Sequence, residues 1–345
     1  MKITIVDRLK AFSHRPGHEV LVPGSLCKLR VFPTFLECID LCSLKEGSFS
    51  WDLKGPIYPF TVEQDLEKSC VRIYGESLQG YFRFVVKAEE DKIVLLVEKA
   101  PLKETILKKD KIVLLEGILI KKPSFFEKLF LGNNKQKDMD FMRVRRDLSE
   151  LLPFWFFLGQ MTPAIEEKEG EMTHLLTLIN QKIEHKDKSV DALLLSTYLA
   201  GFSLGFIPRA QDVEFQGIVP MEKEKNLTAL ALLSKGSFSL RSLFFQEKEG
   251  VYHFLPCLPS KFPAGKMIGV KTIDGSTIDI EWTKHQMRRI CIAIEKVGEL
   301  KCTFTFGVKR YRIRRNLKDK GTVLQVGEAF KVRTGDVLWL DCFQT

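Results

Sequence analysis

Polar and apolar residues alternate through much of the first third of the chain. Residues 2–6 alternate in this way. Residues 26–36 are apolar and partly alternating, with Pro33 marking an edge or a bend. Residues 71–74, 80–87, 92–98 and 111–120 are rich in Val, Ile, Leu and Phe, and Gly, Asp, Lys and Pro clusters bound them. Successive side chains of a strand point to opposite faces, so this pattern predicts half-buried strands. Short strands at this spacing predict a sandwich or barrel over 1–122.

The pattern lapses over 123–140, where a polar loop around Gly132, Asn133, Asn134 and Lys135 predicts a linker. From Phe141 the period becomes helical. Asp140 is expected to cap a helix reaching about Phe154. Over 167–185, Met172, Leu175, Leu176, Leu178, Ile179 and Ile183 fall near one helical face. Ser189 is placed to cap 190–204, which is almost wholly apolar and must be buried. Asn226 is placed to cap 227–233, and 237–249 either continues the helix or turns irregular. The segment 141–250 thus predicts three to five helices. Strands return over 251–345, at 251–255, 267–272, 277–282, 289–295 and 302–306, with further short strands beyond. Asp274 and Gly275 between two such runs are a strong hairpin signal. The predicted class is α+β: an N-terminal β-sandwich-like domain, a short α-helical middle and a C-terminal β-sandwich. No internal repeat or low-complexity tract interrupts it.

The stretch from Val251 to Trp282 carries a motif. A strand ends in Leu255, Pro256, Cys257, Leu258 and Pro259. Phe262, Pro263 and Gly265 follow, then Gly269, a turn at Gly275 and a strand ending in Trp282. Prolines stiffen such an exit from a helical layer, glycines permit close turns, and Trp282 is expected in the core. The pattern resembles the segment after the last toroid helix in α-fucosidase-like α/α-toroid glycoside hydrolases of family ninety-five. That resemblance implies a β-sandwich cap over 251–345, with the helices at 190–206 and 227–245 standing where the toroid ends. The segment 141–250 is far too short for a twelve-helix toroid, and none of the family's catalytic motifs can be placed on this chain. Fold resemblance does not carry function in any case.

The 345 residues suffice for two or three domains of ~100–200 residues. The 26 Phe are mostly a packing signal. The net charge of +9 favours acidic partners only weakly, because Lys and Arg spread along the whole chain. The eight cysteines sit mostly in apolar runs without Cys-x-x-Cys or zinc spacing, which predicts free thiols, although an even number also permits disulfides. Residues 1–10 hold no uninterrupted apolar core of a signal peptide, and no run reaches the ~18 apolar residues of a membrane span, so the expected location is cytoplasmic.

Candidate chemistry is sparse. Glu166, Glu167, Glu169 and Glu171 open a helix, where acidic side chains complement the dipole. Glu171, with Asp212 and Glu214 in a following loop, is a candidate for carbohydrate contact. His14, Arg15, His18 and Glu19 surround a turn shaped by Pro16 and Gly17. They suit an anion or a metal, but the two histidines lack a third ligand. On a strand, Arg310, Arg312 and Arg314 share one face, which makes them anion-binding candidates; an edge strand guarded by charge is the plainer reading. No nucleotide-cofactor, serine-hydrolase or zinc-hydrolase motif occurs, so no cofactor and no metal are expected. The expected function is that of a non-catalytic, glycoside-hydrolase-like structural or interaction protein whose partner is a glycan or another protein. A divergent carbohydrate-active hydrolase is the first alternative. A basic nucleic-acid-associated protein is the second, which lacks any recognition helix, zinc finger or RNP-like aromatic pattern.

Overall fold

The computed structural model describes residues 3–101, 111–121, 126–133, 135, 137–164, 171–209, 227–305, 307–316 and 318–345; side chains of 171–173 and 227–230 are not among those described. Among the described residues, the N-terminal alternation becomes ten strands: β1 (Lys10–Ser13), β2 (His18–Leu21), β3 (Cys27–Phe32), β4 (Phe35–Asp40), β5 (Glu46–Ser50), β6 (Phe60–Asp65), β7 (Cys70–Ser77), β8 (Gly80–Glu89), β9 (Lys92–Lys99) and β10 (Lys111–Glu116). They form a six-stranded sheet, β1-β6-β7-β8-β9-β10, and a four-stranded sheet, β2-β3-β4-β5. Trp51, just beyond β5, packs edge-on against Phe84 of β8 at 5.0 Å and donates its indole N–H to the Pro33 carbonyl at 2.8 Å. A Cβ on Gly47 of β5 would stand 2.2 Å from the Leu114 carbonyl of β10, so the absent side chain lets the two sheets touch.

Several expectations need correction. Residues 3–6 are not a strand. The apolar run at 26–36 is a hairpin, because Pro33 and Thr34 turn the chain between β3 and β4. Strand β6 escaped the alternation rule because all six of its residues, Phe-Thr-Val-Glu-Gln-Asp, are buried. Its charges are paired, since Arg72 donates to Glu63 and Asp65 at 2.8 and 2.6 Å; Gln64 donates to the Leu21 carbonyl at 2.7 Å, while its buried Oε1 meets no donor among the described residues.

The helical segment holds α1 (Met139–Arg145), α2 (Leu148–Met161), α3 (Glu171–Glu184), α4 (Val190–Gly201) and α5 (Leu227–Phe244). The single helix expected from Asp140 is two. Asp138 caps α1 by accepting the Asp140 amide, Arg146 ends it in a left-handed conformation, and Asp147 caps α2 by accepting the Ser149 amide. Ser189 occupies the N-cap of α4 but makes no side-chain cap bond; its hydroxyl instead accepts from Lys182 at 2.6 Å. The expected cap at Asn226 lies outside the described residues. Helix α2 is buried on nearly every side, with Leu151, Leu152, Phe154, Trp155, Phe156, Phe157 and Leu158 at the centre of the molecule. Helices α2 and α5 meet through glycines. A Cβ on Gly159 would lie 2.2 Å from the Leu233 carbonyl, and one on Gly236 would lie 2.6 Å from the Trp155 ring.

The remaining strands are β11 (Lys128–Phe130), β12 (Phe245–Lys248), β13 (Val251–Phe254), β14 (Gly265–Lys271), β15 (Thr277–Thr283), β16 (Gln286–Ala293), β17 (Gly298–Phe304), β18 (Arg310–Arg314), β19 (Thr322–Gln325), β20 (Phe330–Val332) and β21 (Val337–Gln344). They form a seven-stranded sheet, β11-β14-β15-β16-β21-β18-β19, facing a four-stranded sheet, β12-β13-β17-β20. The class is α+β with β-sandwich-like ends. The hairpin at Asp274-Gly275 is present: Lys271 faces Thr277, and Gly275 takes a φ of 91°. Asp274 fastens the turn by accepting from the Ser276 hydroxyl at 2.9 Å and from Thr272.

Trp282 joins this sandwich to the helices. It is fully buried, donates to the Phe262 carbonyl at 3.1 Å and stacks on Phe244 at the end of α5, with ring centres 5.5 Å apart. Gly265 makes room for it, since a Cβ there would fall 2.2 Å from the indole and 2.6 Å from the Phe130 carbonyl of β11. The Leu255 amide donates back to the Phe244 carbonyl at 2.8 Å, so the proline-rich exit seals the end of α5. The stretch 123–140 supplies β11 to the sheet and Glu127 to a polar node. Glu127 accepts from Arg241 of α5 at 2.9 Å and from the Lys271 amide at 2.9 Å, and its own amide donates to Gln160 of α2 at 2.9 Å.

Two expectations follow. Gly265→Ala should destabilise the protein by ~1–3 kcal/mol through overpacking, read as a shifted urea midpoint with an unchanged slope; an unchanged midpoint would contradict the role given to Gly265. All eight cysteines are free, and only Cys42 and Cys342 are exposed. Burial pushes the Cys70 and Cys291 thiols up to about 11, and the Cys27 thiol, with burial, raises Cys38 further. Thiol titration should therefore find two fast groups in the native protein and eight after denaturation without reductant. A shortfall after denaturation would indicate disulfides.

Candidate functional site

The residues picked out in the sequence scatter. Glu171 opens α3, but its side chain lies outside the described residues, as do Asp212 and Glu214 entirely. Arg310, Arg312 and Arg314 lie on β18. Arg310 is exposed, whereas Arg312 donates to Asp341 at 2.8 Å and Arg314 donates to the same carboxylate. Burial works against ionisation of Asp341, but the two guanidinium groups prevail and hold its carboxyl below the ordinary value. Tyr311, on the opposite face of the strand, is fully buried. Two of the three arginines are thus engaged with one carboxylate of the neighbouring strand β21.

The 13–19 loop has a different fate. It forms one wall of a cleft of about 530 Å³ that also takes in α1 and the chain leaving α4. Gly17 turns the loop with a φ of 77°, and a Cβ there would fall 3.1 Å from the Phe32 ring. Ser13 donates to Asp140 at 2.7 Å and accepts the Arg15 amide at 3.1 Å, which ties the loop to α1. On the far side, Gly205 with a φ of 68° lets the chain after α4 sit against β2; a Cβ there would be 2.7 Å from the Glu19 carbonyl. Arg143 of α1 donates to the Leu199 carbonyl at 3.2 Å and to the Phe202 carbonyl, satisfying the open end of α4.

Four arginines, Arg15, Arg30, Arg143 and Arg209, therefore line a space that also holds Glu19 and Asp140. Glu19 is paired with Lys28 at 2.8 Å. Arg15 stands 3.8 Å from Asp140, and Arg30 stands 3.9 Å from Glu37 and over the Phe32 ring at 5.3 Å. His18 forms the floor. It is buried, with Nε2 3.0 Å from the Met139 sulfur, and burial lowers its pKa despite the opposing pull of Asp140 and Glu19. Guanidinium groups suit oxyanions and carboxylates accept hydroxyls, so the cleft offers both kinds of contact. Among the described residues, no three His, Cys, Asp or Glu side chains gather as a metal site. The sequence pointed to the 13–19 loop but not to Arg30, Arg143 and Arg209, which reach the cleft from three other elements and share no local motif with it.

A pH dependence follows from His18. Its folded pKa lies below the ordinary 6.5, so the unfolded chain takes up the proton first on acidification. The associated stability is complete above 6.5 and is lost as pH falls from there through the folded value. His253, also lowered by burial and by Lys248 and Lys186, acts in the same direction. Urea midpoints should fall between roughly pH 7.5 and 5, and His18→Gln should flatten that slope. A slope identical in wild type and variant would show that His18 is not the group responsible.

A comparison with the curated proteins finds no match to this chain. A comparison with protein families matches residues 246–336 to the model described as glycoside hydrolase family 95, C-terminal domain. The matched stretch opens within β12 and runs to the threshold of β21, and so includes the Trp282 seat and the Asp274 hairpin. The resemblance drawn from Leu255, Pro259, Gly265 and Trp282 thus coincides with a family match, and this part of the chain is similar to that glycoside hydrolase domain.

Proposed function

We propose that this protein is a non-catalytic relative of the toroid glycoside hydrolases, acting as a structural or interaction module that contacts glycans. One observation carries the reading. Where the resemblance implies a ring of helices around a catalytic cleft, α2 and α5 pack directly on one another through Gly159 and Gly236, and Trp155 and its aromatic neighbours fill the centre. Glycoside hydrolysis needs two carboxylates flanking one bond, ~5–10 Å apart, with space for a sugar between them. A core of buried Phe and Trp leaves no such space along α2. The glycan part of the reading rests on the family match over 246–336.

A second reading, a divergent carbohydrate-active hydrolase, is favoured by Glu19 and Asp140 lining one cleft. Against it, Glu19 is held by Lys28 and Asp140 by Ser13 and Arg15, which suits binding better than proton transfer. The test is a panel of aryl glycosides, fucosides included, together with a glycan array. The expected result is no chromophore release above a buffer blank, with retention of at least one glycan class on the array. Turnover that vanishes in Glu19→Gln, Asp140→Asn, Glu171→Gln or Asp212→Asn would overturn the proposal in favour of the hydrolase.

A further inference from the structure

We propose that the cleft between the 13–19 loop, α1 and the exit of α4 binds an anionic saccharide, a sugar carrying a phosphate or a carboxylate. The charge balance is the first ground. Arg15 and Arg30 both line the cleft, and one of its two carboxylates, Glu19, is already neutralised by Lys28 outside it. The second ground is donor capacity. The Arg15 and Arg30 side chains are 69% and 51% exposed, and their ion contacts at 3.8 and 3.9 Å are longer than hydrogen bonds. Both keep guanidinium N–H groups for a ligand, and a guanidinium fork matches a phosphoryl or carboxylate group. Arg143, fixed on the carbonyls of α4, adds a positive charge that cannot swing away.

The saccharide part follows from what else the cleft holds. Glu19 and Asp140 are acceptors of the kind that take sugar hydroxyls, and Ser203 adds a hydroxyl at the rim. Pro16, Val144 and Leu204 supply apolar surface against which a sugar ring can lie; Val144 is 74% exposed. A volume of about 530 Å³ is that of a small-molecule site, and the cleft lies where two structural layers meet, as such sites commonly do. It is a half-open cleft rather than a basic stripe, which argues against a nucleic-acid backbone. The choice of a sugar as ligand rests on the glycoside-hydrolase-related reading above, whereas the demand for an anion rests on the arginines alone.

The experiment is calorimetric titration at low ionic strength with glucose 6-phosphate, glucuronic acid, glucose and inorganic phosphate. Wild type is compared with Arg15→Gln, Arg30→Gln and their double variant, with Arg310→Gln as a distant control. We expect glucose 6-phosphate or glucuronic acid to bind and glucose not to. Inorganic phosphate should bind about tenfold more weakly than the better sugar, and the double variant should lose about tenfold or more in affinity. The stronger of the two anionic sugars identifies the headgroup. Arg15 and Arg30 are exposed, so the variants should keep the wild-type circular dichroism and urea midpoint; the single variants carry the test if the double variant does not. Binding of glucose as tight as that of the anionic sugars, binding unchanged by Arg15→Gln and Arg30→Gln, or no binding at all would overturn the proposal. Inorganic phosphate matching the sugars would overturn its saccharide part. None of these results bears on turnover, so failure here leaves the non-catalytic reading standing, and glycoside turnover would remove that reading without touching the anion result.

Discussion

The seat of Trp282 is the constraint on which the rest of the C-terminal half depends. The indole needs the space that Gly265 leaves, the Phe262 carbonyl for its N–H and the Phe244 ring for its face. Each partner comes from a different piece of chain: the start of β14, the proline-rich exit and the end of α5. Filling one position therefore fixes the angle at which the helical layer meets the sandwich. The Glu127 node repeats the tie a few residues away with polar atoms, joining α2, α5 and β14. Glu127 and Arg241 are largely buried, and removal of either would strand the other's charge, which typically costs ~3–5 kcal/mol.

This arrangement explains what was legible in the sequence and what was not. The C-terminal motif could be read because its residues are local and chemically demanding. Two prolines, a glycine under an indole and a Thr-x-Asp-Gly-Ser turn leave few alternatives. The strands with one wet face could also be read, since alternation reports that face directly. Strand β6 could not, because it is buried on both sides and carries its charges inside, where Arg72 pairs them. The split between α1 and α2 was missed for a related reason: the apolar period runs through Arg146 and Asp147, and only the cap chemistry breaks it. The cleft arginines come from β3, α1 and the chain beyond α4, and nothing in a linear pattern announces that these will converge.

The helical middle bears most directly on function. Helix α2 carries the sequence Leu-Leu-Pro-Phe-Trp-Phe-Phe-Leu, and a segment of this kind must find apolar surroundings on every side. In the fold it does so by lying against α5 with glycines at the closest points, in contact as well with β11. The interior that results is a core and not a hollow. Clefts open instead at its edges, one of about 540 Å³ between α3, α5 and β12 and one of about 530 Å³ at the junction with the N-terminal sheets, where loops and helix ends carry charge. Packing thus separates the helical centre around α2, which is dense, from the cleft, which is polar and open.

The helical layer and the C-terminal sheets form one packed body closed at its centre. Native-state hydrogen exchange tests it most directly. The buried amides of α2, α5, β14 and β15 should exchange with a single opening free energy equal to that of global unfolding. If α2 and α5 instead open together at a much lower free energy while β14 and β15 stay protected, the helical layer is a separate and openable unit, and the claim fails.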